Sequence, residues 1–260
     1  NGGVLEIRSD SSLNFGKNVY ARATSTFFAG PGVGGDGVNG TMTFGTFRLV
    51  ANTTQTFTSR NGYGITFGTW TQDSSNNANT ITNNLAGVLT FTGNAWNNSD
   101  GSTRTLTLQG TGMGVITGGL WEIRGTNTAI NGSVNIDNGA VAITDFRSLN
   151  NNSGTINIGS NASNSNLNSS NNNGAGARII GTTTAATSVG LTTSKVINLQ
   201  GSTNGASIYA NQAGANPVIL NGAFTATGAG SKTLTLGGTS NADNIINSAI
   251  VNNSGTNTTS

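Results

Sequence analysis

Short runs in which apolar and polar residues alternate recur along the whole chain. Early examples are residues 4–7 (VLEI) and 41–44 (TMTF), and later ones are 155–158 (TINI) and 233–236 (TLTL). Such alternation places successive side chains on opposite faces of a β-strand. No window of a dozen residues shows the i, i+3, i+4, i+7 spacing of an amphipathic helix. The pattern therefore predicts an all-β chain built from many short strands.

Glycine and asparagine separate these runs. Asn-Gly pairs occur, for example, at 39–40, 61–62, 131–132 and 221–222. Glycine adopts positive φ freely, and asparagine tolerates it better than most residues. In an antiparallel protein these pairs would form two-residue hairpins, whereas in a solenoid they would turn the corners between faces. The local signal is compatible with both.

Two longer segments are each found twice, in the same order. Residues 2–8 (GGVLEIR) recur as 118–124 (GGLWEIR), and residues 104–111 (RTLTLQGT) recur as 232–239 (KTLTLGGT). The number of residues from the first segment to its repeat differs from the number between the second segment and its repeat, so insertions must separate the segments. Solenoids accommodate insertions as loops on one face.

The duplication predicts two β-solenoid modules, residues 1–117 and 118–247, with 248–260 as a terminal strand or the start of a further module. Many short strands, Asn and Thr within them, and only two prolines favour a parallel β-helix. In such a stack, like side chains lie above one another and can form hydrogen-bonded ladders. A β-sandwich or jelly roll is the alternative, because regularly spaced short strands also suit those folds.

Two segments carry a family resemblance. Residues 232–250 (KTLTLGGTSNADNIINSAI) and 104–118 (RTLTLQGTGMGVITG) resemble the autotransporter-associated β-strand repeats, and 87–93 (GVLTFTG) is similar to their shorter strands. The resemblance implies a right-handed parallel β-helix (β-solenoid) in a large bacterial protein that is secreted or held at the cell surface. It brings no catalytic motif. We also expect this chain, which starts at Asn1, to be part of a longer precursor.

Composition excludes several classes of function. There is no cysteine and no histidine, which removes thiolate metal sites and the commonest general base. The net charge is only +2, and the basic residues are scattered rather than clustered, which argues against nucleic-acid binding. No apolar stretch approaches the roughly 18 residues of a membrane span. We expect no catalytic residue, no cofactor and no metal.

The carboxylates give little support to an enzyme. None form an Asp-Asp pair or an Asp-x-Asp motif, which would favour two acids facing each other across a sugar. Glu6 lies two residues before Arg8, so both should share one strand face as a surface ion pair; Glu122 and Arg124 repeat the spacing. The GGDG segment that contains Asp36 resembles a calcium-binding loop, but it occurs only once in the sequence.

Large apolar side chains in polar surroundings are the candidates for an interface, because exposed apolar groups often mark contact sites. They are Phe27, Phe28, Trp96, Ile250 and Val251.

The resulting prediction is a non-enzymatic structural component of a bacterial extracellular fibre or filament. It would self-associate head to tail through solenoid ends or strand edges, and deleting residues 248–260 should abolish this association. The alternative is an adhesin-type autotransporter passenger that binds glycans or surfaces. A polysaccharide-active enzyme is a third, weaker hypothesis.

Overall fold

The computed structural model of the chain describes residues 2–50, 52–72, 78–93, 103–110, 120–123, 131–137, 139–146, 149, 154–159, 175–181, 191–201, 205–211 and 216–260. Every strand pairing in these ranges is parallel, and none of these residues forms an α-helix. The chain folds as an all-β parallel β-helix, a β-solenoid of repeated coils, which confirms the predicted fold class.

Two long parallel sheets form two sides of the solenoid, and each coil contributes one strand to each. Sheet A has nine strands. They are β1 (Val4–Arg8), β4 (Ser25–Gly30), β7 (Thr54–Ser59), β10 (Ala78–Asn84), β12 (Thr103–Gly110), β14 (Asn131–Ile136), β16 (Ile156–Ile158), β19 (Ile197–Leu199) and β22 (Phe224–Ala226).

Sheet B also has nine strands. They are β2 (Leu13–Asn14), β5 (Thr41–Thr43), β8 (Gly64–Phe67), β11 (Val88–Phe91), β13 (Leu120–Ile123), β15 (Gly139–Ile143), β17 (Ala175–Gly181), β20 (Gly205–Ala210) and β23 (Leu234–Gly238). We number the nine coils in chain order, so that coil 1 contains β1 and β2 and coil 9 contains β22 and β23.

A third side carries shorter sheets near the two ends. Sheet C, in coils 1 to 3, consists of β3 (Val19–Ala21), β6 (Phe47–Leu49) and β9 (Trp70–Gln72). Sheet D, in coils 7 to 9, consists of β18 (Leu191–Thr193), β21 (Val218–Leu220) and β24 (Ile245–Ile246).

The core runs along the axis between these sides and is aromatic in its first half. Phe44, Phe67 and Phe91 stack from coil to coil, with ring centroids 5.4 and 5.6 Å apart. Phe47 lies 4.6 Å from the Phe67 ring, and Trp70 lies 4.6 Å from the Phe91 ring. Large rings thus share coils 2 to 4 with fully buried aliphatic residues such as Ile65, Ile81 and Leu89.

Aliphatic residues take over the core from coil 5 onward. In sheet A, Val134 and Ile136 pair in register with Ile156 and Ile158, and all four are fully buried. Polar residues alternate with them and face outward, so a low overall apolar content still suffices for a continuous core. The alternation seen in the sequence is the direct cause of this arrangement.

An amide ladder follows the outer face of sheet A, as predicted for stacked Asn and Thr residues. Asn135 Nδ2 donates to Thr107 Oγ1 at 3.3 Å, Asn157 Nδ2 to Asn135 Oδ1 at 2.7 Å, and Asn198 Nδ2 to Asn157 Oδ1 at 2.9 Å. Thr225 Oγ1 then donates to Asn198 Oδ1 at 3.1 Å. Each amide both donates and accepts, so the ladder fixes the register of coils 5 to 9.

The Asn-Gly pairs at 39–40 and 61–62 turn corners rather than hairpins. Asn39 and Asn61 have φ values of 55° and 52°, and Gly62 has a φ of 75°. The Asn39 amide donates to the Asn61 carbonyl at 2.8 Å, which stacks one corner on the next. The tertiary structure thereby selects the solenoid interpretation of these pairs.

The Gly-rich loop that follows β4 covers the ring of Tyr63. A β-carbon at Gly40 would overlap that ring, and one at Gly37 would overlap the Tyr63 hydroxyl and the Asp10 backbone, so these positions require glycine. The Tyr63 hydroxyl donates to the Ser9 carbonyl, which ties coil 3 to coil 1. The Asn- and Ser-rich segment 161–176, whose composition predicts a long loop, ends within β17, and its first fourteen residues lie outside the described ranges.

The duplicated segments occupy different sides of the solenoid. Residues 2–8 contain β1 in sheet A, whereas 118–124 contain β13 in sheet B. Likewise, β12 lies in sheet A and its sequence counterpart β23 lies in sheet B. Both sheets also continue across residues 117 and 118, through the β11–β13 and β12–β14 pairs. The repeated segments therefore form strands in both sheets, and they do not occupy equivalent positions in two modules.

Asp137, just after β14, is a partly buried acid whose titration should be visible in the stability of the fold. Burial raises the pKa of Asp137 from 3.8 to about 6. The folded state therefore favours the protonated carboxyl. The contribution of this preference to the free energy of unfolding is fully present below about pH 4 and is lost as the pH rises through 6. We expect Asp137→Asn to raise the free energy of unfolding at pH 7 by about 2 kcal/mol.

The measurement is denaturant unfolding of the wild type and Asp137→Asn between about pH 4 and 7. The wild type should lose stability over this interval relative to the variant. Asp243→Asn, at an exposed position in the final coil, is the matched control and should track the wild type. Parallel pH profiles for wild type and Asp137→Asn would contradict the prediction.

Candidate assembly interface at the ends of the solenoid

The first coil exposes side chains that point toward the core axis. Leu13 pairs in register with the fully buried Met42, and the Phe15 ring stacks on Phe44 at 5.1 Å. Yet Leu13 and Phe15 remain 38% and 39% exposed, and Leu5 is 44% exposed. These residues occupy core positions that lack a covering coil within the described residues.

The last coils show the same feature at the opposite end. Leu236 of β23 pairs with the buried Ile208, but is itself 52% exposed. Between the sheets there, an apolar hollow of about 320 Å³ is lined chiefly by Ile208, Val218, Leu220, Leu236 and Ile246. Within the described residues, no further coil covers this hollow.

Residues 248–260 continue the coil beyond β24. The Lys232 amide donates to the Thr258 carbonyl, and the Leu234 amide donates to the Ser260 carbonyl, both at 2.8 Å. Lys232 and Thr259 form an isolated parallel bridge, but 248–260 contain no strand. This segment is the start of a further coil stacked on coil 9.

Ile250 and Val251 are 42% and 39% exposed, as expected for candidate contacts. Ser248 Oγ donates to the Gly222 carbonyl at 2.7 Å, and Asn253 Nδ2 donates to the Gly228 carbonyl at 2.7 Å. These bonds hold the segment with Ile250 and Val251 alongside β22. Both side chains consequently lie at the open end of sheet A.

The open C-terminal end carries little charge. Residues 233–260 contain a single charged residue, Asp243. Lys232 is buried, and its Nζ donates to the carbonyls of Gly201 at 2.6 Å and Ala229 at 2.9 Å. Burial lowers the pKa of this amine. With its only nearby cation turned inward, the end presents neutral side chains and exposed strand edges.

The first coil has more charge, but its acids and bases are partly paired. Arg8 Nε and Glu6 Oε1 form the surface ion pair expected from their spacing. Asp10 accepts a hydrogen bond from the Gly32 amide at 2.9 Å and so anchors the Gly-rich loop. The side chains of Glu122 and Arg124 lie outside the described ones.

The other interface candidates, Phe27, Phe28 and Trp96, differ in where they lie. Phe27 is only 4% exposed and stacks on Phe57 at 4.9 Å, so it is a core residue rather than a surface contact. Phe28 faces outward and is half-buried, with the Arg8 guanidinium 4.8 Å from its ring centroid. Trp96 lies outside the described residues.

Sequence reasoning missed Leu5, Leu13, Phe15 and Leu236, the apolar groups that dominate the two ends. Their local patterns match those of buried core positions, because Leu5, Leu13 and Leu236 point inward from strands and Phe15 directly follows β2. Only their location in the first or last coil leaves them uncovered. No local signal separates them from the core.

One side groove offers a different kind of site. Tyr20, Arg22, Arg48 and Val50 line a shallow hollow beside sheet C, and the Arg48 guanidinium lies 5.5 Å from the Tyr20 ring centroid. An aromatic face beside two guanidinium groups suits an anionic or sugar ligand. In the described part of the chain, no three acidic or metal-ligating side chains cluster to hold a metal ion.

Comparisons of the chain with protein-family models, with curated proteins and with solved structures found no match. Among the described residues, no helix is long and apolar enough to cross a membrane.

Proposed function

We propose that this chain is a structural component of a bacterial extracellular fibre or filament, and that it self-associates head to tail through the ends of the solenoid. The observation that supports the proposal is that core positions in the first and last coils of this chain have no covering coil within the described residues. They are Leu13 and Phe15 in coil 1 and Leu236 in coil 9. The extracellular setting rests on the resemblance of residues 104–118 and 232–250 to autotransporter-associated repeats.

Covering these ends would be energetically favourable. Each exposed inward side chain is already held in a strand, so its burial removes apolar surface from water with little further ordering. A second copy would place its coil 1 against the hollow beside Leu236. It would also supply backbone partners for strand edges that otherwise pair with water.

Head-to-tail contact joins two different surfaces and therefore propagates into a filament. The geometry favours this over contact between like ends, because the parallel strands of one copy then continue those of the next in the same direction. Contact between two identical ends would set the strands antiparallel. It would also bring the loops of the two corners together.

Single charges at the ends should prevent assembly. We expect Leu13→Lys and Leu236→Lys each to abolish filaments, because burying an unpaired ammonium in an apolar contact is strongly unfavourable. Sedimentation velocity and electron microscopy of the purified chain would measure this. Val33→Lys, on a side loop and 93% exposed, is the matched control and should assemble like the wild type.

Mixing the two blocked variants tests the polarity of the contact. Leu13→Lys retains a free C-terminal end and Leu236→Lys retains a free N-terminal end, so a mixture should form dimers and stop. If each variant forms dimers alone, like ends associate and the head-to-tail arrangement is wrong. A wild type that stays monomeric at high concentration would refute self-association.

Removing residues 248–260 is a weaker test than the sequence indicated. This segment is stacked on residues 222–234, so its deletion would uncover another open coil with exposed edges. Assembly could then continue from coil 9. Charge substitution at Leu236 blocks the apolar hollow itself and gives a clearer result.

The alternative function is an adhesin-type passenger that binds glycans. The groove of Tyr20, Arg22 and Arg48 favours it, since guanidinium groups recognise carboxylate or sulfate groups. A row of exposed aromatic side chains, as expected for a sugar-binding face, is absent from the described residues. Retention on a glycan array by a chain that stays monomeric would favour this function over the fibre.

A further inference from the structure

The outer face of sheet A carries a two-dimensional array of threonines in coils 2 to 5. Thr26, Thr56 and Thr82 are direct partners in β4, β7 and β10, and Thr54 and Thr80 are partners one column away. The next members are Thr107, paired with Thr80, and Thr58, at the end of the row in β7. No register shift interrupts these pairs, so the columns run parallel to the solenoid axis.

The array has two fixed repeats. Adjacent coils are about 4.8 Å apart, and alternate residues on one strand are about 6.7 Å apart. Threonine is β-branched and has few rotamers in a strand, so each hydroxyl and methyl is held in place before any ligand arrives. The face is therefore a rigid lattice rather than a set of independent side chains.

The threonines at the centre of this array lie on the outer face of the sheet. Thr26, Thr54, Thr56 and Thr80 are half-buried by their neighbours, and no hydrogen bond of their hydroxyls is seen within the described residues. Toward coil 5 this changes, because Gln109 Nε2 donates to Thr82 Oγ1 at 2.9 Å. The open part of the array thus spans β4, β7 and β10.

The strands β4, β7 and β10 contribute no charged side chain to this open part, and the Arg8 guanidinium lies over Phe28 at its edge. An anionic polymer, a phosphate surface or an acidic protein would find no counter-charge here. The ligand must instead be neutral, must offer donors and acceptors together, and must repeat in two directions with the spacings of a parallel sheet. Those requirements exclude a flexible chain, which would lose its conformational freedom on such a lattice.

We propose that the outer face of sheet A, centred on Thr26, Thr54, Thr56 and Thr80, is an ice-binding surface. The two repeats of the array are close to those of a prism plane of hexagonal ice, whose water molecules each donate and accept hydrogen bonds. Threonine hydroxyls match that chemistry, and the intervening methyl groups order water in the gaps between columns. Many weak contacts made at once give strong adsorption to a crystal.

The test is freezing-point hysteresis and ice-crystal shape in solutions of the full chain. The wild type should separate the melting and freezing points and shape the crystals. Thr56→Tyr and Thr80→Tyr place a bulky ring in the lattice and should reduce the hysteresis severalfold. Thr54→Lys is a second, less bulky disruption in case either ring disturbs the fold.

Thr66→Tyr is the matched control. Thr66 lies in β8, in the same coil as Thr56, is also half-buried, and faces outward from sheet B. It should keep full hysteresis. Equal losses in Thr66→Tyr and Thr56→Tyr would overturn the assignment to sheet A.

Two further outcomes would overturn the proposal. A wild type without hysteresis and without any effect on crystal shape does not bind ice. A chain retained by crystalline cellulose and not by ice uses the array for a polysaccharide surface. Both outcomes are independent of head-to-tail assembly, since the end-blocked Leu236→Lys variant can be assayed as a monomer with its threonine array intact.

Discussion

Replacing Phe67 with alanine should lower the free energy of unfolding by about 4 kcal/mol. The ring is fully buried and contacts four others, with centroids 4.6 Å from Phe47, 5.4 Å from Phe44, 5.6 Å from Phe91 and 5.8 Å from Phe57. Truncation leaves a cavity at the crossing of the aromatic columns from sheets B and C. The backbone cannot collapse into it, because hydrogen bonds to the coils above and below fix its position.

The loss should be concentrated in coils 2 to 4, since each coil of a solenoid contacts mainly its neighbours. Hydrogen exchange of the β5, β8 and β11 amides, together with chemical denaturation, would measure it. Phe67→Leu is the control and should cost under about 1.5 kcal/mol, because it fills most of the volume. An alanine variant no less stable than the leucine variant would show that the stack is not the centre of this core.

Replacing Gly222 with alanine should destabilise the last two coils by about 3 kcal/mol. A β-carbon at this position would overlap the carbonyl oxygen of Lys195 in the coil beneath. The coil above is equally close, because Ser248 Oγ donates to the Gly222 carbonyl at 2.7 Å. With the Lys195 backbone beneath and the Ser248 side chain above, only a change in coil spacing could accommodate the methyl group.

Gly255→Ala is the matched control for this corner. A β-carbon there would meet no heavy atom within 4 Å, so the same substitution should be nearly neutral. Hydrogen exchange in β21 and β23 would report the local effect of Gly222→Ala, and the thermal midpoint would report the global one. A neutral Gly222→Ala would mean that the corners are less closely stacked than the structure indicates.

These two substitutions also bear on assembly. Gly222 lies in the corner that leads into β22 of coil 9, so its loss should weaken head-to-tail contact along with the final coil. Phe67 lies in coil 3, and its loss should leave assembly unchanged as long as coils 1 and 9 remain folded.

The local elements followed from the sequence. The alternating runs at 41–44, 155–158 and 233–236 lie in or overlap β5, β16 and β23, because alternate burial on a two-sided strand imposes that pattern. The Asn-Gly pairs at 39–40 and 61–62 are turns, because positive φ is needed there. The ion pair of Glu6 and Arg8 and the amide ladder on sheet A were likewise predictable from spacing and stacking.

The coil period could not be predicted in the same way. In sheet A, the separation between paired residues ranges from 22 (Val4 to Thr26) to 41 (Ile156 to Ile197). Corner loops absorb the difference without disturbing the strands, so no fixed repeat appears in the sequence. For the same reason the duplicated segments, which look like the anchors of two modules, lie on different sides of the solenoid.

The sequence by itself determined that this protein is made of short strands joined by tight corners, because alternation and turn residues act over a few neighbouring positions. The tertiary structure decided which side of each strand faces inward when both sides are apolar. Phe27 and Phe28 are such a case: register with Phe57 and Thr58 turns Phe27 into the core and Phe28 outward. It also decided which core positions are left uncovered at the ends, and which threonines align into one face, because both depend on contacts between residues far apart in the chain.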